Sequence, residues 1–255
     1  MRRLIINADD FGFTRDVNEG IVHAHRDGIL TSTTLMANGD AFDDAVRLAK
    51  ETPTLDIGAH LVLVQGNSLL DGRPLPETPR QLLGILAKRG LNVYAELKAQ
   101  IERIRAAGLP ISHLDSHKHT HLVPSVFRAV VKLAYEFGIP WVRLPLDTTV
   151  RLGKPLTAAG NLYYRRLTRG TNVQFTDHFL GFHLTGSLSE ATMADALNQI
   201  EDGVTEFMCH PGYLGNELKN AHTRLKESRL IELGTLTSPR IRQIIAEKQI
   251  QLGPF

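Results

Sequence analysis

Short unbroken apolar runs alternate along this 255-residue chain with longer stretches in which apolar residues recur every three to four positions. The first kind reads as strands buried on both faces, the second as amphipathic helices packed over them. Strands are expected at 3–7 ("RLIIN"), 32–38 ("STTLMAN"), 56–63 ("DIGAHLVL"), 111–117, 141–145, 179–184 and 205–210. Helices are expected between and after them, at 16–28, 40–51, 95–108, 124–138, 189–201, 224–234 and 238–248. Asp16, with Glu19 three residues on, reads as the cap of the first helix and Gly28 as its stop. Pro124 opens the helix at 124–138 and Gly138 closes it.

Strands that alternate with helices over the whole length imply right-handed βαβ units and a parallel sheet. The expected fold is α/β: one domain over residues 1–255, a single distorted β/α barrel of about seven mostly parallel strands. The first turn, "NADDFGFT", lacks the G-x-G-x-x-G pattern of a dinucleotide site. Residues 64–94 and 146–178 resist the periodicity, and both are expected as long loops on the C-terminal face that shape a cleft.

Composition narrows the class without choosing a function. Hydrophobic residues make up 42% and charged residues 22%, as in an ordinary globular protein. A net charge of +2 leaves no electrostatic footprint for nucleic acid, and the basic run "YYRRLTRG" (163–170) reads as a solvated face or loop. The single Cys209 excludes an internal disulfide and a cysteine-rich zinc site; in a strand beside His210 it reads as a packing residue. No apolar segment approaches the ~20 residues that cross a bilayer, and no signal-peptide core is visible, so a soluble cytoplasmic protein is the default expectation.

The candidate chemistry is positional. Four of the 11 histidines, His113, His117, His119 and His121, crowd into "HLDSHKHTH" with Asp115 among them. Asp9 and Asp10 end the first expected strand, His60 lies in the third, His117 ends the fourth and His210 ends the last. In a β/α barrel those strand ends converge on one face, where imidazole and carboxylate together suit a divalent metal. One of two adjacent carboxylates can bind a metal while its neighbour stays free as a base. His119 and His121 stay open between a solvated turn and a ligand role, the latter through the H-x-x-x-H spacing from His117. His23 and His25 read as surface residues.

Taken together, "NADDFG", "GILTSTTLMAN", "IGAHL", "HLDSHKHTH" and "MCHPG" resemble, in order and spacing, the YdjC-like carbohydrate deacetylases, over residues 3 to about 247. Within that family the sequence is most similar to the branch associated with hopanoid biosynthesis. The resemblance implies metal-dependent removal of acetyl groups from N-acetylated amino sugars. It implies that Asp10, His60 and His117 hold one divalent ion (Mg²⁺ or Zn²⁺), that Asp9 is the base, and that His210, near the ordinary imidazole value of about 6.5, is the acid. The partners implied are an N-acetylated sugar and, as an open alternative to a monomer, a second copy in a homodimer. Two other readings are an amidohydrolase- or PHP-like hydrolase, whose first strand would end in H-x-H rather than Asp-Asp, and a catalytically silent sugar-binding barrel.

Overall fold

The computed structural model describes residues 1–146 and 154–255. Its centre is β1 (Arg2–Phe11), an apolar run buried on both faces from Leu4 onward. Around it lie β2 (Ser32–Leu35), β3 (Asp56–Leu61), β4 (His113–Ser116), β5 (Trp141–Val142), β6 (His178–Leu180), β7 (Gly203–Cys209) and β8 (Gln251–Leu252). The order is β5-β4-β3-β2-β1-β7-β6, with β8 beside β1, and every ladder is parallel. The sheet curls far enough for its ends to meet. Gln174, just before β6, accepts from the Val142 N–H (3.0 Å) and donates to the Pro140 carbonyl (2.7 Å) across from β5. The expected distorted β/α barrel is the fold.

The helices cover this barrel: α1 (Arg15–Arg26), α2 (Phe42–Glu51), α3 (Pro79–Ala87), α4 (Val93–Ala106), α5 (Pro124–Phe137), α6 (Lys154–Leu167), α7 (Glu190–Asn198), α8 (Asn216–Asn220), α9 (Glu227–Leu236) and α10 (Pro239–Glu247). Val126, Phe127, Val130, Val131 and Ala134 of α5 face the core at the spacing the sequence implies. Thr14, not Asp16, caps α1, accepting from the Val17 N–H; Asp16 instead accepts from the Leu218 N–H and anchors α8. An aspartate beside a helix start serves whichever unpaired N–H is nearest in space.

Two regions expected to be loops contain helices. Within 64–94, Thr78 and Gln81 form a capping box that starts α3, a helix with one buried residue, Leu82, and so almost no apolar periodicity. Within 146–178, the basic run starts on α6 and ends in the turn after it, and its Arg165, Arg166 and Arg169 are exposed as expected. The strand expected over 179–184 stops at Leu180, because Gly181 turns left-handed (φ 103°) against β7. A Cβ there would meet the Met208 carbonyl oxygen at 2.3 Å, so no other residue fits.

Gly58 of β3 is a second close approach. Its missing side chain leaves room for the His113 ring, whose Cε1 and Nε2 would lie 2.5 Å from a Cβ. That ring stacks on Phe255 (centroids 3.8 Å apart) and its Nε2 pairs with Asn7 Oδ1 (3.1 Å) inside the barrel. Gly58→Ala is expected to cost about 1–3 kcal/mol by overpacking, read as a lower urea midpoint with an unchanged slope; an unaltered midpoint would show that the His113 stack yields freely. No helix among the described residues is long and apolar enough to cross a membrane.

Candidate active site and metal centre

The C-terminal end of β1 is irregular where the chemistry begins. Ala8 pairs with Thr33 and Phe11 with Leu35, so β1 spends an extra residue, and Asp10 adopts φ 71°. In a regular strand, Asp9 and Asp10 would point to opposite faces. The bulge brings both carboxylates into the barrel mouth, Asp9 toward β5 and Asp10 toward β3 and β4. Parallel register places the remaining groups at the same level: Ala8 beside Cys209, just before His210, and His60 beside Asp115, just before His117.

Asp10, His60 and His117 converge. Asp10 Oδ1 lies 3.1 Å from His117 Nδ1 and 3.3 Å from His60 Nε2, and the two imidazole nitrogens are 3.3 Å apart. The far nitrogen of His60 faces Asp115 Oδ1 at 2.7 Å, and Thr34 Oγ1 donates to Asp115 Oδ2 (3.1 Å). This carboxylate fixes the ring so that Nε2 points at the other two donors, as in histidine–metal sites. Burial disfavours charge on His60, yet Asp115, Asp10 and Asp9 outweigh it and raise the ring to about 10. Two imidazole nitrogens and one carboxylate oxygen, all within 4.8 Å of one another and open to a cavity, fit a divalent ion. A second grouping, Asp9, His60 and Asp115, is equally compact, but there a fixed guanidinium already neutralises both carboxylates.

That guanidinium belongs to Arg143, just past β5, wholly buried and passed over in the sequence. Its Nη1 and Nη2 grip Asp9 Oδ2 and Oδ1, both at 2.7 Å. Nη1 also meets Asp115 Oδ2, and Nε donates to Glu206 Oε1, each again at 2.7 Å. Burial alone would raise the Asp9 carboxyl; Arg143 overrides it, with help from His60 and His210, and holds it well below the usual carboxylate range. Arg229 of α9, also missed, donates through Nη2 to Asp10 Oδ2 and lowers that carboxyl against the same burial. The available signal was an arginine inside an apolar strand, "WVRLP", since arginine is seldom buried unpaired.

His210 closes the site, its Nε2 3.9 Å from Asp9 Oδ2. Its backbone N–H donates to Glu232 Oε2 (2.6 Å), and its Nδ1 is buried without a hydrogen-bond partner among the described residues. The expectation of an ordinary imidazole value does not hold. Burial pulls the ring down to about 4, so in the substrate-free site it is neutral at pH 7.

The other histidines separate cleanly. His121 is fully buried, with Nδ1 on Ser116 Oγ (2.5 Å) and Nε2 on the Arg143 carbonyl (3.0 Å), so it braces the turn and has no nitrogen to spare for a metal. A solvated turn is excluded for it. His119, left-handed at φ 52°, lines the cavity against Phe182 (centroids 5.1 Å apart), its Nδ1 buried and without a hydrogen-bond partner among the described residues. His113 lies deeper in the barrel, as described. His23 and His25 are half-buried and bonded, to Tyr213 Oη and to the Leu30 carbonyl. Cys209 is buried, its thiol facing the Asn7 carbonyl.

The cavity above these groups has a volume of about 860 Å³. Gln65, from the first of the two expected loops, reaches its wall, with Oε1 3.2 Å from His117 Nε2. Phe13, Lys118 and His119, Phe182, His183 and Thr185, and residues 222–225 also line it, while the described part of 146–178 contributes none of the lining. Residues 147–153 of that expected loop lie outside the described residues.

Fold and site together define a β/α-barrel protein with a buried two-histidine, one-carboxylate centre at the C-terminal mouth. The chain belongs to the YdjC-like family: the model of that family, described as YdjC-like protein, matches residues 3–247. A carbohydrate deacetylase of Brevibacillus brevis is 38% identical over 261 residues, covering 99% of this chain and 98% of the relative. A carbohydrate deacetylase of Geobacillus stearothermophilus is 38% identical over 256 residues, covering 98% and 96%. Among solved structures, a proposed cellobiose-phosphate cleavage protein of Enterococcus faecalis superposes with a TM-score of 0.82 at 28% identity, covering 99% of this chain and 97% of that one.

Proposed function

We propose that this protein is a metal-dependent carbohydrate deacetylase that hydrolyses the N-acetyl group of an N-acetylated amino sugar, a chitooligosaccharide or an N-acetylglucosaminyl glycoconjugate. The observation that carries the reading is the convergence of Asp10, His60 and His117 beside a separately held carboxylate, Asp9, and a buried imidazole, His210, at the floor of one cavity. Two full-length relatives bearing the name carbohydrate deacetylase support it.

A divalent ion, Mg²⁺ or Zn²⁺, held by Asp10, His60 and His117 would supply Lewis acidity toward the acetamide carbonyl. The protein's own groups move the protons. Asp9, fixed by Arg143 and outside the ligand set, takes a proton from the water whose oxygen bonds to the carbonyl carbon. Asp9 holds a proton more weakly than His210 does, and 3.9 Å separates them, so a small movement hands it to His210 Nε2. His210 then delivers it to the nitrogen as the C–N bond breaks, leaving acetate and a free amine. Phe182, partly exposed on the rim, offers an apolar face to a sugar ring.

The test is acetate release from N-acetylglucosamine oligomers and N-acetylglucosaminyl lipids by metal-loaded protein, with mass spectrometry showing loss of one acetyl group. Sugar binding without acetate release, with every divalent metal tried, would defeat the reading in favour of a silent binding barrel. His210→Ala should keep metal and sugar binding and lose at least about 100-fold in kcat on the amide, as for a lost general acid. An aryl acetate, whose leaving group needs no proton, should be hurt far less. Equal losses on ester and amide would assign His210 to orienting the substrate.

A further inference from the structure

We infer that Glu232 is the positioning residue that sets the tautomer of His210, a role that rests on the deacetylase reading for its purpose but not for its geometry. Glu232 lies on α9, far from the site in sequence, and is 1% exposed. One of its oxygens, Oε2, already takes the His210 backbone N–H at 2.6 Å. Its other oxygen, Oε1, is buried with no hydrogen-bond partner among the described residues, and so is His210 Nδ1. These two unpaired atoms are chemically complementary, an acceptor and a ring nitrogen able to carry a proton. They also belong to one residue pair already in contact. An imidazole Nδ1 is only a few bonds from its own backbone nitrogen, so a carboxylate that grips one through Oε2 has Oε1 within reach of the other after a small ring rotation.

The pairing settles which ring nitrogen is free. With Nδ1–H donating to Glu232, Nε2 carries the lone pair and faces Asp9 and the cavity. That is the atom required to receive a proton and pass it to the departing amine. Burial pushes the Glu232 carboxyl up to about 7 against the His210 N–H, Arg229 and the Gly186 N–H, and a further donor at Oε1 would favour its charged, accepting form. The competing partner is Arg229, whose Nη1 is also buried and has no hydrogen-bond partner among the described residues. Its other nitrogens are engaged, Nη2 by Asp10 and Nε by the Leu225 carbonyl.

The deciding experiment reads the ring directly, without activity. In ¹⁵N-labelled, metal-free protein at neutral pH, long-range proton–nitrogen correlations distinguish the tautomers, with His210→Ala identifying the signal. The wild type should show Nδ1–H. In Glu232→Gln the amide oxygen must keep the backbone N–H, so its NH₂ faces Nδ1 and the ring should switch to Nε2–H. In the loaded enzyme, Glu232→Gln should lower kcat on the N-acetyl sugar by about 30-fold or more, with KM within about threefold and the aryl ester little changed. An Nε2–H wild type, or one tautomer shared by both proteins, would overturn the inference and give Oε1 to Arg229. Should Glu232→Gln not fold, the wild-type spectrum decides alone. A wild type that releases no acetate defeats the deacetylase reading, and the tautomer still decides the pairing.

Discussion

Asp9→Asn should lose at least about 100-fold in kcat on an acetylated sugar while keeping its metal. Asp9 faces the imidazole of His210 with both its oxygens held by Arg143, outside the Asp10–His60–His117 group, so the substitution removes a proton acceptor and leaves three donors in place. It has a structural cost as well. Both Asp9 oxygens are taken by Arg143, and an asparagine can offer only one oxygen while turning its NH₂ against the guanidinium. A loss of about 1–3 kcal/mol follows from the unpaired donors, so the assay temperature must sit below the variant's melting transition. Metal content by mass spectrometry, with kcat measured on the same preparation, separates the outcomes. A variant that folds but holds no metal would make Asp9 a ligand and overturn the division of labour between the two aspartates.

Much of this site was legible because it is built from strand ends. "NADD", "GAHL", "HLDSH" and "MCH" each carry an ionisable group at or near the end of an apolar run, and a parallel barrel has only one mouth for such ends to share. The first strand's bulge was not legible. Nothing in "ADDF" announces that Asp10 adopts a left-handed conformation, although that is what allows neighbouring carboxylates to serve one cavity. The groups that tune the site were hidden for a different reason. Arg143, Glu206, Arg229 and Glu232 act through partners tens to hundreds of positions away, and their neighbourhoods in sequence read as ordinary strand or helix. The value expected for His210 failed in the same way, since its depression comes from burial beneath α9 and no local pattern reports burial of that kind. α3 escaped because a helix that buries little apolar surface leaves little periodicity to read.

Arg143→Ala is expected to be the most destabilising single substitution at the site, by at least about 3–5 kcal/mol. One guanidinium serves Asp9, Asp115 and Glu206, each at 2.7 Å and each buried, and its removal strands three carboxylates away from water. Burial is already the largest influence on Asp115 and Glu206 and raises both, Glu206 to about 7; without the guanidinium Asp115 keeps only His60, and Glu206 loses the cation that lowers it. The pH dependence gives the signature. In the wild type, the lowered Asp9 carboxyl contributes stability that is present above its unfolded value of 3.8 and is lost as pH falls through its folded value. In the variant, Asp9 joins the raised groups, and the folded state then binds more protons than the unfolded one, so stability falls as pH rises. The difference between wild type and variant in urea unfolding should therefore widen steadily from pH 4 to pH 7. Arg143→Lys keeps the charge and should recover part of that difference, but an ammonium cannot hold Asp9 through two parallel N–H bonds, so kcat should stay low. A difference that is flat with pH, or below about 1 kcal/mol, would mean that the three carboxylates are satisfied without the guanidinium and that Asp9 takes its position from the bulge in β1 alone.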